Sequence, residues 1–258
     1  MRLIFCKLGS KSVNFIESNF IQSNVIATNE CKQNLQAHLA KRKTIIDFEA
    51  LGRTLAYSPF MPRLEREDCK RVSPNPPKKA IRFEIQGDFD EVAFLEVASE
   101  AEQKGYNDMF LLDLRMRYVK HDINEVNLAL ESISLLRRHS TLPIIYADLF
   151  VDEYQILEAA LFGADNVLIP CALHSGKSLS VLLQFARRLG FEPFVEVCDK
   201  DELKRAIFSG ASMLFIPKDS FEALLSLVPN SQIIATNHHN DYGVDVQIYE
   251  SGVHFISF

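Results

Sequence analysis

The chain has 258 residues, 47% hydrophobic and 24% charged, which suits one large globular core and excludes a disordered or fibrous protein. Its 28 basic and 34 acidic residues give a net charge of -6, so no broad basic surface is available for the phosphate contacts of nucleic-acid binding. Five cysteines (Cys6, Cys31, Cys69, Cys171, Cys198) are odd in number and lack CxxC or CxxH spacing, which argues against a disulfide framework or a zinc site and fits a reducing cytoplasm.

The first segment, MRLIFCKLGSKSVNFIESNFI, has an apolar run of only three residues before Lys7, too short for a secretory signal. Nothing approaches the roughly 18 apolar residues that would span a membrane, so no membrane partner is expected. Phe15, Phe20, Ile21 and Val25 fit either a short amphipathic element packing on the main domain or a weakly ordered tail. KRVSPNPPKK, residues 70–79, is basic and Pro-rich and reads as a linker. Residues 1–77 are therefore expected to form an extension and linker, and 78–258 one barrel.

From residue 78 onward a unit recurs: apolar strand, polar turn, helix of about ten residues, glycine, apolar strand. The copies are PIIYADLF to FGADNVLIP, PFVEVCDKDELKRAIFSGASMLFIP, and QIIATNHHNDYGVDVQIYESGVHFISF; AIRFEI to MFLLDL is a looser one. In the second, Leu203, Ala206 and Ile207 share one helix face, and Asp199, Asp201 and Glu202 crowd its start, where the helix dipole favours acids. Gly163, Gly210 and Gly252 are expected at helix C-caps. Strands are predicted at 81–85, 109–113, 143–147, 166–169, 193–197, 213–216, 232–236 and 253–257. Runs such as VLI and MLFI imply burial on both faces, as in a parallel sheet covered by helices. The fold class is thus α/β, a parallel TIM (β/α)8 barrel, expected to end at strand 8 without the final helix. An open doubly wound sheet competes, but no GxGxxG follows a strand.

Such a barrel places its chemistry at the C-terminal ends of the strands. Those positions hold Glu84 and Gln86, Asp113 and Arg115, Ala147 and Asp148, Cys171, Glu196, Pro217 and Lys218, and Asn237 and His238. Glu84 and Glu196 lie within apolar strands and are the candidate catalytic carboxylates, since desolvation raises a carboxyl pKa toward useful acid/base values. Each is equally readable as a structural acid paired with a neighbouring Arg or Lys.

These residues carry a resemblance. LPIIYADLFVDEYQILEAALFGADNVLIPCAL resembles the pattern LPVLxKDFxxDxYQIxEAxxxGADxxLLIxxxL of the indole-3-glycerol phosphate synthase family. FVEVCDKDELKRAIFSGASMLFIP is similar to that family's LVEVHxxxELxxAxxxGAxxIGINNR, and AIRFEI stands where IAEVKxxSPS is expected; the likeness covers about residues 78–236. It implies a TIM barrel and the decarboxylative ring closure of a carboxyphenylamino-deoxyribulose phosphate, with no metal and no organic cofactor. By position, Glu84 and Glu196 match the first- and fifth-strand glutamates. Gln86 and Ala147 replace the first- and third-strand lysines, the latter being the family's general acid. Pro217 and Lys218 replace the sixth-strand asparagines; Thr236, Asn237 and His238 replace the seventh-strand ESG; and Gly87, Asp88 and Phe89 replace the phosphate-contacting SPS. YESGV at 249–253 is expected on the helix before the last strand, as a decoy.

The remaining motifs carry less. HSGKS at 174–178 lacks the first glycine of a P-loop and reads as a helix N-cap, although Lys177 and the amides there suit an anion. HHND at 238–241 has no ligand spacing for a metal. Cys198 reads as a reactive thiol or a half-buried structural one. Lys218, Asn237 and Lys177 are the candidate substrate-binding residues, for a phosphorylated small molecule. Two functions stand side by side: a synthase-like enzyme of tryptophan biosynthesis with weak or lost activity, and a non-catalytic barrel that binds or scaffolds. A homo-oligomer or the N-terminal segment is expected to cover the place of the eighth helix.

Overall fold

The computed structural model describes residues 29–85, 89–106, 108–118, 123–239 and 242–255. The expectations for residues 1–28, for Gln86, Gly87 and Asp88, and for the side chains of Phe255 and Phe258 lie outside that set. Helix α1 (Asn29–Ile45), α2 (Phe48–Leu55) and the single turn α3 (Arg66–Cys69) precede β1 (Lys78–Ile85). Then follow α4 (Glu91–Gln103), β2 (Met109–Asp113), α5 (Ile123–His139), β3 (Ile144–Ala147), α6 (Glu153–Phe162), β4 (Asn166–Pro170) and α7 (Gly176–Arg188). The chain continues with β5 (Phe194–Glu196), α8 (Lys200–Phe208), β6 (Met213–Ile216), α9 (Lys218–Leu224), β7 (Ile233–Thr236) and β8 (Val246–Phe255). All eight strands pair in parallel with their sequence neighbours, and β1 pairs with β8 to close the barrel.

Side-chain alternation divides the core into two layers, as a strand's period of two requires. Ala80, Met109, Leu111, Ile145, Ala147, Leu168, Phe194, Met213, Phe215, Ile233, Ala235, Val246 and Ile248 fill the barrel, together with Leu64 and Cys69 from the approach to β1. Their strand neighbours Ile81, Phe83, Phe110, Leu112, Ile144, Tyr146, Val167, Ile169, Val195, Leu214, Ile216 and Ile234 pack outward against the helices. The helices start where polar side chains satisfy their first amides: Asp152 caps α6, Ser175 caps α7, and Asp199 accepts from Asp201 and Glu202 at the head of α8. Leu203 and Ala206 are the buried face of α8. Gly163 ends α6 in the left-handed region at φ 92, as its spacing predicts.

The segment before the barrel is docked on it. Arg63 grips the fully buried Asp165 through Nε and Nη2, at 3.0 and 2.8 Å, and Arg137 also binds that carboxylate. Leu35, Leu39 and Leu51 of α1 and α2 join Tyr154 and Leu157 of α6 in a third apolar cluster.

The last repeat departs from the sequence reading. Only nine residues separate Thr236 from Val246, and a parallel crossover that holds a helix needs about a dozen or more. YESGV, expected on a helix, therefore lies inside β8, which begins seven residues before the predicted 253. Gly252 has positive φ, at 70, but within that strand and not at a helix end.

Candidate active site

The C-terminal ends of the strands form the barrel mouth, and alternation settles which side chains enter it. On β1 the inward positions after Ala80 are Arg82 and Glu84; on β2 the inward position after Leu111 is Asp113; on β5 Glu196 follows Phe194. Arg82 lies in register with Glu250 of β8. Asp113 accepts from Arg82 Nη2 at 2.6 Å and from Arg115 Nη2 at 2.6 Å, with Arg115 Nε and its backbone N–H adding bonds at 3.0 and 3.1 Å. The free end of Arg115 reaches across to Glu196, Nη1 to Oε2 2.6 Å. Arg82 Nη1 donates to Glu250 at 3.1 Å, and its Nη2 lies 3.9 Å from Glu84.

The mouth is thus crossed by an ion-pair ladder running Glu84, Arg82, Asp113, Arg115, Glu196. Burial pushes the Asp113 carboxyl up, but the Arg115 and Arg82 guanidiniums outweigh it and hold the group well below the usual carboxylate range. Burial likewise disfavours the charge on Arg82 and Arg115; Asp113 more than offsets it, helped by Glu250 in the first case and Glu196 in the second. Both arginines stay protonated. Among the described side chains of the mouth, four carboxylates face two guanidiniums, a net of -2.

Of the five site residues read from sequence, Glu84 and Glu196 enter the mouth, joined through this ladder. Asn237 and Lys218 meet at its rim: the Lys218 backbone N–H donates to Asn237 Oδ1 at 2.9 Å, and Asn237 Nδ2 approaches Glu250 at 3.4 Å. Lys177 is exposed in the first turn of α7. That turn is fastened to α8 and not to the mouth ladder: Arg205 donates to His174 O at 2.7 Å and Ser209 to Gly176 O at 3.0 Å.

Ala147 is fully buried and faces inward, in register with Asp113 and Leu168. Thr236 corrects the sequence matching. It shares the outward parity of Ile234, is fully buried, and donates its hydroxyl to Ile216 O at 2.6 Å, so the inward side chain at that end of β7 is Asn237. Asp148 also faces the helix layer, where Arg117 Nη2 at 2.6 Å and Tyr118 and Tyr146 hydroxyls enclose its carboxylate. Cys198 is half-buried; burial, with Glu196 and Glu202 adding to it, pushes its thiol far above the ordinary value, the reverse of a reactive thiolate. No group of three or more His, Cys, Asp or Glu among the described residues is arranged to hold a metal.

Sequence reasoning missed Arg82 and Glu250. Arg82 stands two residues before Glu84, so strand parity would have placed both on the same side. Glu250 was hidden by the assignment of YESGV to a helix.

A closed parallel barrel with titratable groups gathered at the C-terminal mouth defines the class of (β/α)8-barrel enzymes and their relatives. Within that class, the indole-3-glycerol phosphate synthase family model matches residues 125–254. The indole-3-glycerol phosphate synthase of Campylobacter jejuni (strain RM1221) is 34% identical over 215 residues, 76% of this chain and 78% of that protein. That of Campylobacter hominis is 35% identical over 225 residues, covering 80% and 82%, and that of Sulfurimonas denitrificans is 30% identical over 224, covering 80% and 81%. The chain belongs to the indole-3-glycerol phosphate synthase family. Among solved structures, the tryptophan synthase complex from Pyrococcus furiosus aligns with TM-score 0.53 at 16% identity, covering 68% of this chain and 88% of that one. KGPDC from Streptococcus mutans aligns with TM-score 0.51 at 12% identity, covering 69% and 90%; at these identities the likeness is one of fold alone. No helix among the described residues is long and apolar enough to cross a membrane.

Proposed function

We propose that this chain is a member of its family in which the decarboxylative ring closure of carboxyphenylamino-deoxyribulose phosphate is weak or lost. One observation carries the reading: Ala147, a methyl group, occupies the inward end of β3, in register with Asp113, whose salt-bridge partners are the guanidiniums of Arg82 and Arg115. The family's reaction removes a carbonyl oxygen as water and so needs a proton donor at that slot. Ala147 has no proton to give, and an arginine stays protonated at any pH at which the fold survives. Loss of one positioned acid costs about two to four orders of magnitude in rate.

The same ladder bears on binding. Glu84 and Glu196 would handle protons only if released from Arg82 and Arg115, and a net negative mouth disfavours a phosphate dianion. Lys218 and Asn237, together at the rim, are the best placed of the candidate substrate-binding residues, with Lys177 outlying. This engagement of the charges by one another favours a second reading, a non-catalytic barrel retained for binding or scaffolding in the cytoplasm, alone or as a homo-oligomer.

The deciding experiment mixes the purified chain with the carboxyphenylamino substrate and follows indole fluorescence. Turnover within tenfold of a typical ~10 per second overturns the proposal. The companion variant combines Gln86→Lys, Ala147→Lys and Asn237→Glu, the last chosen because Thr236 faces the helices. A gain in this variant identifies the missing groups as the defect, and no gain points to the phosphate grip.

A further inference from the structure

The basic, Pro-rich run KRVSPNPPKK at residues 70–79 takes no part in the mouth. It lies at the other end of the barrel, where β1 and β2 begin, and the eight residues of β1 put about 25 Å between the two ends. Asp245 holds both ends of the run: its Oδ1 accepts from the Arg71 N–H at 3.0 Å, and its backbone carbonyl from the Lys78 N–H at 2.8 Å. Within the run, Arg71 Nε donates to Asn75 O at 2.6 Å and the Asn75 N–H to Val72 O at 2.9 Å. The segment is thus folded back on itself, and it walls a cleft of about 460 Å³, in the size range of small-molecule sites.

Four cations of this run, Lys70, Arg71, Lys78 and Lys79, line the cleft, in a chain whose net charge is -6. Three carboxylates, Glu67, Asp68 and Asp108, line it too, which leaves a net of +1, and each of the three is already engaged. Arg66 Nη1 donates to Glu67 at 2.8 Å and the Glu65 N–H to Asp68 at 2.9 Å; Asp108 accepts from the Lys79 N–H at 2.8 Å, with Lys78 Nζ 3.6 Å away. The ammonium groups of Lys70 and Lys79, by contrast, make no hydrogen bond or ion pair among the described residues. Val72, 66% exposed, and Pro76 give the cleft an apolar part.

We propose that this cleft binds a small phosphate ester, with the phosphate held by Lys70 and Lys79 and the apolar part of the ester against Val72 and Pro76. Two ammonium groups without partners match the two charges of one phosphate group, and hydrogen bonds between ionised groups are the strong ones. The isopropyl and pyrrolidine groups offer nothing to bare phosphate but gain by covering apolar surface, which favours an ester over the free ion. The three carboxylates repel a second anionic group, which favours a monophosphate over a polyanion.

The test is calorimetric titration of the full-length chain with phenyl phosphate, inorganic phosphate and phenol. Phenyl phosphate is expected to bind more tightly than either fragment. Its affinity should fall about tenfold or more in the Lys70→Gln/Lys79→Gln double variant, and stay unchanged in Lys218→Gln at the mouth rim. A second measurement needs no variant: in the unmodified chain, saturating phenyl phosphate should protect Lys70 and Lys79, and not the exposed Lys177, from acetylation by acetic anhydride, read by peptide mass spectrometry. No binding, equal affinity for inorganic phosphate, undiminished affinity in the double variant, or protection of neither lysine overturns the proposal. So does a loss of affinity in Lys218→Gln, which would move the site to the mouth.

Discussion

Replacing Arg115 by methionine tests whether the ladder in the mouth holds as described. Arg115 makes three side-chain bonds to Asp113 and one to Glu196, all in a mouth where these groups are largely removed from water. Methionine fills similar space but leaves Glu196 without its guanidinium and Asp113 with Arg82 alone. Breaking a buried pair by removing one partner costs about 3 to 5 kcal/mol. The pH dependence follows from the sign of the Asp113 shift. Its folded-state carboxyl is held below the unfolded value of ~3.9, so its contribution is complete above that pH and is lost as the pH falls below it toward the folded value. The measurement is urea unfolding of both chains at pH 7 and at pH 3. The gap between them should be several kcal/mol at pH 7 and shrink at pH 3. A gap under about 1 kcal/mol at pH 7, in the range of an exposed pair, or one that is the same at both pH values, refutes the reasoning.

Thr236→Glu should lower the melting temperature markedly, because it inserts a carboxylate into the layer between β7 and the helices, whereas Asn237→Glu at the rim should change it little; the reverse order in calorimetry would mean the parity of β7 is misassigned. Ala147→Lys alone should raise turnover less than about tenfold, since groups acting as a unit are strongly non-additive and a lysine in register with Asp113 would be captured by that carboxylate; a larger gain in the fluorescence assay would show that the single proton donor was the whole defect. Cys198 should react with iodoacetamide more slowly at pH 7.5 than a free thiol, and gain rate only at markedly higher pH, because burial opposes its thiolate; labelling as fast as free cysteine would contradict its placement.

The barrel was legible in the sequence because each repeat states its period twice, once in the apolar strand and once in the Gly after the helix. Six strands, β2 to β7, were found to within one residue at each end, at sites such as 109–113 and 213–216, and β1 to within three. The eighth was not, since its ten residues include the polar Gln247, Glu250 and Ser251 and a glycine, a pattern that a buried strand seldom shows. Glu84 and Glu196 were legible as charges set in apolar strands. What they do there was not, because the partners that engage them are fixed by register between strands: Arg115 is 81 residues from Glu196, and no local spacing announces that contact.

On the reading proposed above, the ladder would also make the altered slots hard to reverse one at a time. Buried ion pairs add little to stability compared with apolar packing of the same volume, yet each is costly to break singly. In this mouth every guanidinium is shared between carboxylates: Arg115 between Asp113 and Glu196, and Arg82 among Asp113, Glu250 and Glu84. A substitution at any one of them therefore leaves a buried charge exposed to desolvation at another. The arrangement resists gradual change even if it contributes no catalysis. A working proton relay needs a mobile proton on a lysine or carboxyl, whereas in this mouth Arg82 and Arg115 engage Glu84 and Glu196 as ion-pair partners; on the reading proposed above, the geometry that keeps the two glutamates inside the barrel would also be what holds them back from that role.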